Sequence, residues 1–347
     1  MSIIDGSIEY EIRTIPSLND LSTEEVKNDL DLISKKELGY RQPNTTYNIG
    51  DIVYHKDLPT DWYLECITSG STGNEDIIFN NVIGTIINDG TVKWAINGIM
   101  HNAASHNALY RGADLTDYFN SGEMSTAIAN GTFQNIYPGD YIIKTVTIDG
   151  TEYENIKWII GDCDYYLNTY GTSTLTHHVL IFPETPIGCA PMNLTNTTEG
   201  GYVNSEMWKT TIPKYVIGIK DAFGISHILK HPEALTNSVS LEKLSGSNLY
   251  NIGASKSAGT YNVEVNIFSE VMMFGTRVFS SSAYDIADGN TQISAFSHNK
   301  KLIFSNGWIW SRSICDWIAF CGAHQNGFPY ALAATDNGIV RPYFLLY

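Results

Sequence analysis

Reactive side chains crowd one stretch near the end of this chain, WIWSRSICDWIAFCGAHQNGF, residues 308–328. Cys315 or Cys321 would serve as a nucleophile only beside a base, and the neighbouring candidates are Arg312 and His324. No Gly-x-Ser-x-Gly elbow occurs to present a serine. Acidic residues are plentiful, but none is marked out as half of a glycosidase pair, whose partners can lie far apart in sequence. Two histidine pairs invite a metal reading. His177 and His178 are adjacent, so on a strand they point to opposite faces and cannot easily share one ion. His227 and His231 have the spacing of a helical zinc pair, yet the glutamate of His-Glu-x-x-His is missing and Pro232 disfavours helix at His231. NIGASKSAG, residues 251–259, fits no phosphate-loop spacing. No motif marks a cofactor; calcium ordering of loops is left open. What remains conspicuous in the 308–328 stretch is its rings, which suit contact better than bond-making.

Composition narrows the classes further. The chain has 347 residues and a formal net charge of −16, which repels phosphate backbones and anionic membrane surfaces and argues against nucleic-acid binding. Its 21 tyrosines, with abundant small polar residues, suit β-rich structure and adhesive surfaces. Five cysteines, an odd number without a Cys-x-x-Cys pair, point to free thiols and folding in a reducing cytoplasm. The opening residues lack the pattern of a secretory signal, and no apolar run is long enough for a membrane span.

The elements that must position these side chains fall into segments. Residues 1–40 read as an N-terminal arm: Ser22 and Glu25 form a capping box before Val26, Leu30 and Ile33 at helical spacing. Residues 41–97 read as a small all-β module with a hairpin centred on Asp89-Gly90. Its Tyr54, Trp62, Tyr63 and Trp94 resemble the aromatic set of small carbohydrate-binding modules, although so short a module also needs rings for its core. Residues 98–108 read as a polar linker. In 109–347 the pattern predicts a helix closed by Gly131, a hairpin around Asp149-Gly150, a buried strand in HHVLIF, a helix from Pro213 to Phe223 closed by Gly224, and a loop-heavy stretch over 245–300. Three Asn-Gly pairs, at Asn306, Asn326 and Asn337, predict hairpin-like arms near the end.

The ending GWIWSRS … FCGAHQNGFPYALAATDNGIVRPYFLL resembles the pattern W-x-W-L-R-S … G-V-R-P-x-F of phage tail and receptor-binding proteins with a C-type-lectin-like fold, including tropism proteins diversified by retroelements. Blocks such as HNALYRGADL, KWIIGDCDYYL and VMMFGTRVF extend the likeness over roughly 100–347. Ser311 stands where the family usually has Leu, and Ile339 where Val is common. The resemblance implies an α+β chain: a C-type-lectin-like domain over 109–347, preceded by the β module and the helical arm. It implies a scaffold of Trp308, Trp310, Arg312, Gly338, Arg341 and Pro342. Between these, the family's variable positions fall on Ile314, Cys315, Asp316, Trp317, Phe320, His324, Gln325, Phe328, Tyr330, Thr335 and Asp336, which would line an exposed receptor-binding face. Trp317 and Phe320 have the competing reading of simple core residues.

The function so implied is host attachment: a virion tail protein recognising a bacterial cell-surface glycan or protein receptor, homotrimeric, joined to other tail proteins through its N-terminus, with no nucleic-acid partner, no membrane insertion and no catalytic role. A tail-borne polysaccharide-degrading enzyme and a structural baseplate or decoration protein are the alternatives. The same fold houses formylglycine-generating enzymes, which use a cysteine pair and a metal, so Cys315 and Cys321 carry a further enzymatic reading.

Overall fold

The computed structural model describes residues 39–59, 62–78, 82–98, 102–167, 175–241, 255–280 and 291–347. The chain is a strand-rich α+β protein that divides into two compact units, Met1–Met100 and His101–Tyr347. The helical arm expected over 1–40, including the Ser22–Glu25 cap, lies outside the described residues apart from its last two. Among the described residues no helix is long and apolar enough to cross a membrane.

In the first unit β1 (Thr46–Tyr47) pairs with β4 (Gly70–Ser71), and an antiparallel sheet has the order β2 (Ile52–Val53), β3 (Trp62–Thr68), β6 (Val92–Gly98), β5 (Ile86–Asp89). Strand alternation puts Leu64, Cys66, Trp94 and Ile96 on one face, and all four are fully buried. The expected hairpin is displaced by one residue: Asp89 pairs with Val92, so Gly90 and Thr91 make the turn. Asp89 is inside the sheet because it has structural work there. Its carboxylate accepts two hydrogen bonds from Arg41 at 2.7 Å and one from the Trp94 indole at 2.9 Å.

The second unit is built on two sheets. The first has the order β13 (Val265–Ile267), β18 (Pro342–Leu346), β9 (Val179–Pro183), β8 (Thr151–Cys163), β7 (Tyr141–Ile148), antiparallel throughout. The Asp149-Gly150 turn forms as expected, both residues at positive φ. HHVLIF explains the position of β9. Val179 and Ile181 enter one hydrophobic core while Leu180 and Phe182 enter another, so an unbroken apolar run is needed where both faces are covered. The helix Ile212–Phe223 buries Ile212, Tyr215, Ile219 and Phe223 and ends at Gly224. Gly218 lets it approach β7: a Cβ there would run into the Thr147 carbonyl.

The second sheet has the order β10 (Cys189–Ala190), β17 (Gly338–Ile339), β14 (Ile309–Ile314), β15 (Ala319–Ala323), β16 (Pro329–Ala333). Only the β14–β17 contact is parallel. A separate ribbon pairs β11 (His231–Val239) with β12 (Ser255–Val263).

Three expectations are corrected. Residues 103–107, read as linker, form a helix whose His106 is buried and bonded to the Ile136 carbonyl at 2.7 Å. Residues 245–254 and 281–290 of the stretch read as loop-heavy lie outside the described residues, and the rest carries β12, β13 and the helices Glu270–Phe274 and Ser294–His298; a half-exposed ribbon tolerates Ser, Gly and Thr because it has little core to fill. Of the three Asn-Gly pairs, only Asn326-Gly327 closes a hairpin; Gly307 precedes β14, and Gly338 opens β17 because a Cβ there would press on the Trp310 indole.

Two buried arginines tie distant segments of the second unit together. Arg341, 2% exposed, donates to the Leu302 carbonyl and, at 2.7 Å, to that of Glu184. Arg312, 1% exposed, reaches the Ile267 carbonyl at 3.1 Å and the Tyr343 hydroxyl at 3.0 Å. It faces Glu233, whose carboxylate also accepts from His231 at 2.7 Å, Tyr343 at 2.6 Å and Asn266 at 2.9 Å. Burial works to raise the Glu233 carboxyl, but the Arg312 charge and the His231 bond outweigh it and hold it at about 2.

Candidate functional site

Strands β14, β15 and β16 form an antiparallel meander, and the register Trp310–Gly322–Tyr330 puts those three positions on one face. Deeper along that face Trp310, Phe320 and Leu332 are sealed in the core. Two residues towards the open end, Tyr330 follows from Leu332 and Trp308 from Trp310, and each is 40% exposed. Their rings stack at 5.8 Å and 22°. Tyr330 lies 5.7 Å from His324, which stacks on Phe328 at 4.4 Å and 12°. Four rings therefore run in succession, Trp308, Tyr330, His324 and Phe328, at one end of the sheet.

The β15–β16 turn holds the second half of this series. His324 N–H donates to the Phe328 carbonyl at 2.9 Å, and Gly327 N–H to the His324 carbonyl at 2.7 Å. Gly327 has φ 78°, and its bare Cα lies under the Phe304 ring, where any Cβ would collide. Phe304 is itself about half exposed, and the exposed Gln325 carries its side chain on the same turn. Such an array offers several π faces with a few polar edges, the chemistry that stacks on sugar rings or apolar protein groups.

The residues expected to share one face do not do so. Ile314 and Phe320 are fully buried in one hydrophobic cluster and Cys315, 4% exposed, lies in another on the opposite face, because both faces of the sheet are covered here; they are removed from the contact surface. Cys321 is also fully buried, so neither thiol of the enzymatic reading reaches solvent. Asp316, Trp317, Thr335 and Asp336 lie at the opposite end of the meander, where Ala319 pairs with Ala333. Four strand steps, about 14 Å, separate that end from the His324 turn. There the carboxylates fasten turns: Asp316 accepts from the Ile318 and Ala319 N–H groups at 2.8 Å, and Asp336 from Ala333 at 2.9 Å. Trp317 is half-buried, its carbonyl accepting from Thr198 N–H, and Thr335 is exposed. Trp308, read as scaffold, and Phe304 belong to the ring cluster instead.

The four aromatic candidates of the first unit likewise separate. Trp94 is core and bonded to Asp89, which corrects its reading as a sugar contact. Trp62 shares the inner face with Leu64 and is half-buried, whereas Tyr63 points to the outer face; Tyr54 is 40% exposed. One platform cannot hold all four.

Among the described residues His55, Asp57 and Asp76 bring donor atoms within 4.8 Å of one another. The Lys56 ammonium already sits on Asp76 at 2.8 Å, and with His55 it holds that carboxyl down at about 2. The His177–His178 pair divides as expected. His177 bonds Asp164 at 2.7 Å, while buried His178 donates to the Thr176 carbonyl at 2.9 Å and accepts from Tyr166 N–H at 3.1 Å. His231 starts β11 and is committed to Glu233, so it makes no pair with His227.

Comparison of the chain with family models, with curated proteins and with solved structures finds no match.

Proposed function

We propose that this chain is a phage tail receptor-binding protein whose second unit takes a C-type-lectin-like fold and recognises a bacterial cell-surface glycan. The reading rests on one observation: two stacked ring pairs, Trp308–Tyr330 and His324–Phe328, joined by a tilted Tyr330–His324 contact, form a contiguous cluster at the solvent-facing end of the sheet. Exposing three large rings together forgoes the burial that normally stabilises such side chains, roughly 1.5–3 kcal/mol for each one fully buried, and a contiguous exposed aromatic patch marks an interaction surface. The sequence likeness of the C-terminal region supplies the biological setting, a virion tail, with a homotrimer whose N-terminal segment joins other tail proteins. Individual ring–sugar contacts are weak, and several copies on one particle would multiply them by avidity.

The test is binding of the purified chain to isolated bacterial wall and capsular polysaccharides, measured by biolayer interferometry. Wild-type protein should bind at least one, and the Trp308→Ala/Tyr330→Ala variant should lose that signal while keeping its melting temperature. Equal binding by the variant, or no binding to any polysaccharide fraction, would remove the ring cluster from recognition.

A further inference from the structure

Away from the ring cluster, a groove of about 670 Å³ in the second unit runs between the start of the helix Ile212–Phe223 and the β12–β13 region. That volume lies within the range of small-molecule sites. Its floor is apolar, with Ile212, Val216, Val263 and Val265. Its wall is Trp208, on a single π-helical turn, Met207–Thr211, inserted before the helix. Such turns recur at functional sites because they re-aim a side chain that regular helix would turn elsewhere. Trp208 is half-buried and braced by Tyr202 at 5.6 Å and Tyr261 at 6.2 Å, which hold the indole in place.

The rim is cationic. Glu264 is the groove's carboxylate, and it is already paired with Lys220 at 2.7 Å. Lys209 donates to the neutral amide oxygen of Asn204. Lys230 lines the groove and is exposed, and among the described residues it has no hydrogen bond or ion pair to another side chain. Two lysines without carboxylate partners among the described residues thus face one apolar, indole-walled groove in a chain whose net charge is −16. Local charge of the opposite sign in so acidic a molecule draws anions to this place.

The geometry points to this groove as a binding site for an anionic sugar, its ring against Trp208 and its carboxylate or phosphate held by Lys230 and Lys209. The site shares no residue with the ring cluster and goes beyond the function proposed for it. Its specificity is for charge as well as ring shape: a charge-assisted bond adds about 1.5–3 kcal/mol, so a neutral sugar of the same shape binds at least about tenfold more weakly.

The experiment uses the full chain carrying Trp308→Ala, Tyr330→Ala and Phe328→Ala, so that the three large rings of the cluster are gone. Saturation-transfer NMR is run with methyl glucuronide, glucose 6-phosphate and, as the neutral control, methyl glucoside. Transfer to the glucuronide alone identifies a carboxylate site, transfer to the phosphate alone a phosphate site, and transfer to both a general anion site; each supports the proposal. Lys230→Gln, an exposed substitution, should weaken binding about tenfold, and Lys209→Gln/Lys230→Gln should abolish it. No transfer to either anion at millimolar concentration, equal transfer to the neutral control, or full binding by the double lysine variant overturns it. None of these outcomes bears on the ring cluster.

Discussion

The Arg312 guanidinium lies 3.1 Å from the Glu233 carboxylate, and both side chains are sealed from solvent. The two come from β14 and β11, so the ion pair ties the meander that carries the ring cluster to the ribbon. Removing one member of such a pair strands the other charge in a low-dielectric interior. Arg312→Met should therefore destabilise the second unit by about 3–5 kcal/mol, read as a lower urea midpoint. Arg312→Lys, which keeps the charge but loses the planar fork, should cost less.

Two buried groups tilt the acid response in opposite directions. Burial depresses His178 from 6.5 to about 4, so the stability its neutral form represents is whole above pH 6.5 and is lost as pH falls towards 4. Burial raises Asp162 from 3.8 to about 6 against the pull of its Ser294 hydrogen bonds. Its charged form is costly above pH 6, and that cost is relieved as pH falls towards 3.8. Each amounts to about 3 kcal/mol at most, and over their shared window they nearly cancel. Urea midpoints between pH 7 and 4.5 should show His178→Gln gaining relative stability on acidification and Asp162→Asn losing it. Parallel slopes in the two variants would contradict this balance.

Gly218 is placed where helix meets sheet, and Gly218→Ala must push the helix off the Thr147 carbonyl. Overpacking of this kind costs about 1–3 kcal/mol, more than the intrinsic helix preference for alanine returns. Thermal unfolding should show a lower midpoint despite the better helix former.

At the ring cluster, Gly327→Ala strains a left-handed backbone and displaces Phe304, at a cost of about 1–3 kcal/mol. Polysaccharide binding should weaken in this variant together with stability. Trp317→Ala, at the far end of the meander, should leave that binding unchanged.

Periodic features were legible in the sequence because their cause is local. The Asp149-Gly150 turn, the HHVLIF strand and the Pro213-to-Gly224 helix follow from backbone chemistry and alternation alone. The contact surface was legible only in part. Alternation tells that Trp308 and Trp310 share a face, yet not that the core covers the second and stops short of the first; that depends on where β14 begins relative to its neighbours. For the same reason Phe320 and Cys315, in a stretch rich in exposed rings, could not be told from contacts until the sheet closed over them. Trp94 was misplaced because Asp89, which accepts from its indole, is held inside the sheet by Arg41, far away in sequence. The groove at Trp208 escaped notice because its lining comes from three distant segments and a π-helical turn has no simple signature.

The self-closing turn between β15 and β16 limits how this tip can change. Adding one residue to it would shift Tyr330 into the Ala331 slot on the opposite side of the strand and put Pro329 in its place, dismantling the cluster in a single step. Two added residues would preserve parity and merely lengthen the finger. Length variation here is thus quantised in pairs, a constraint that side-chain replacement at the same positions does not face.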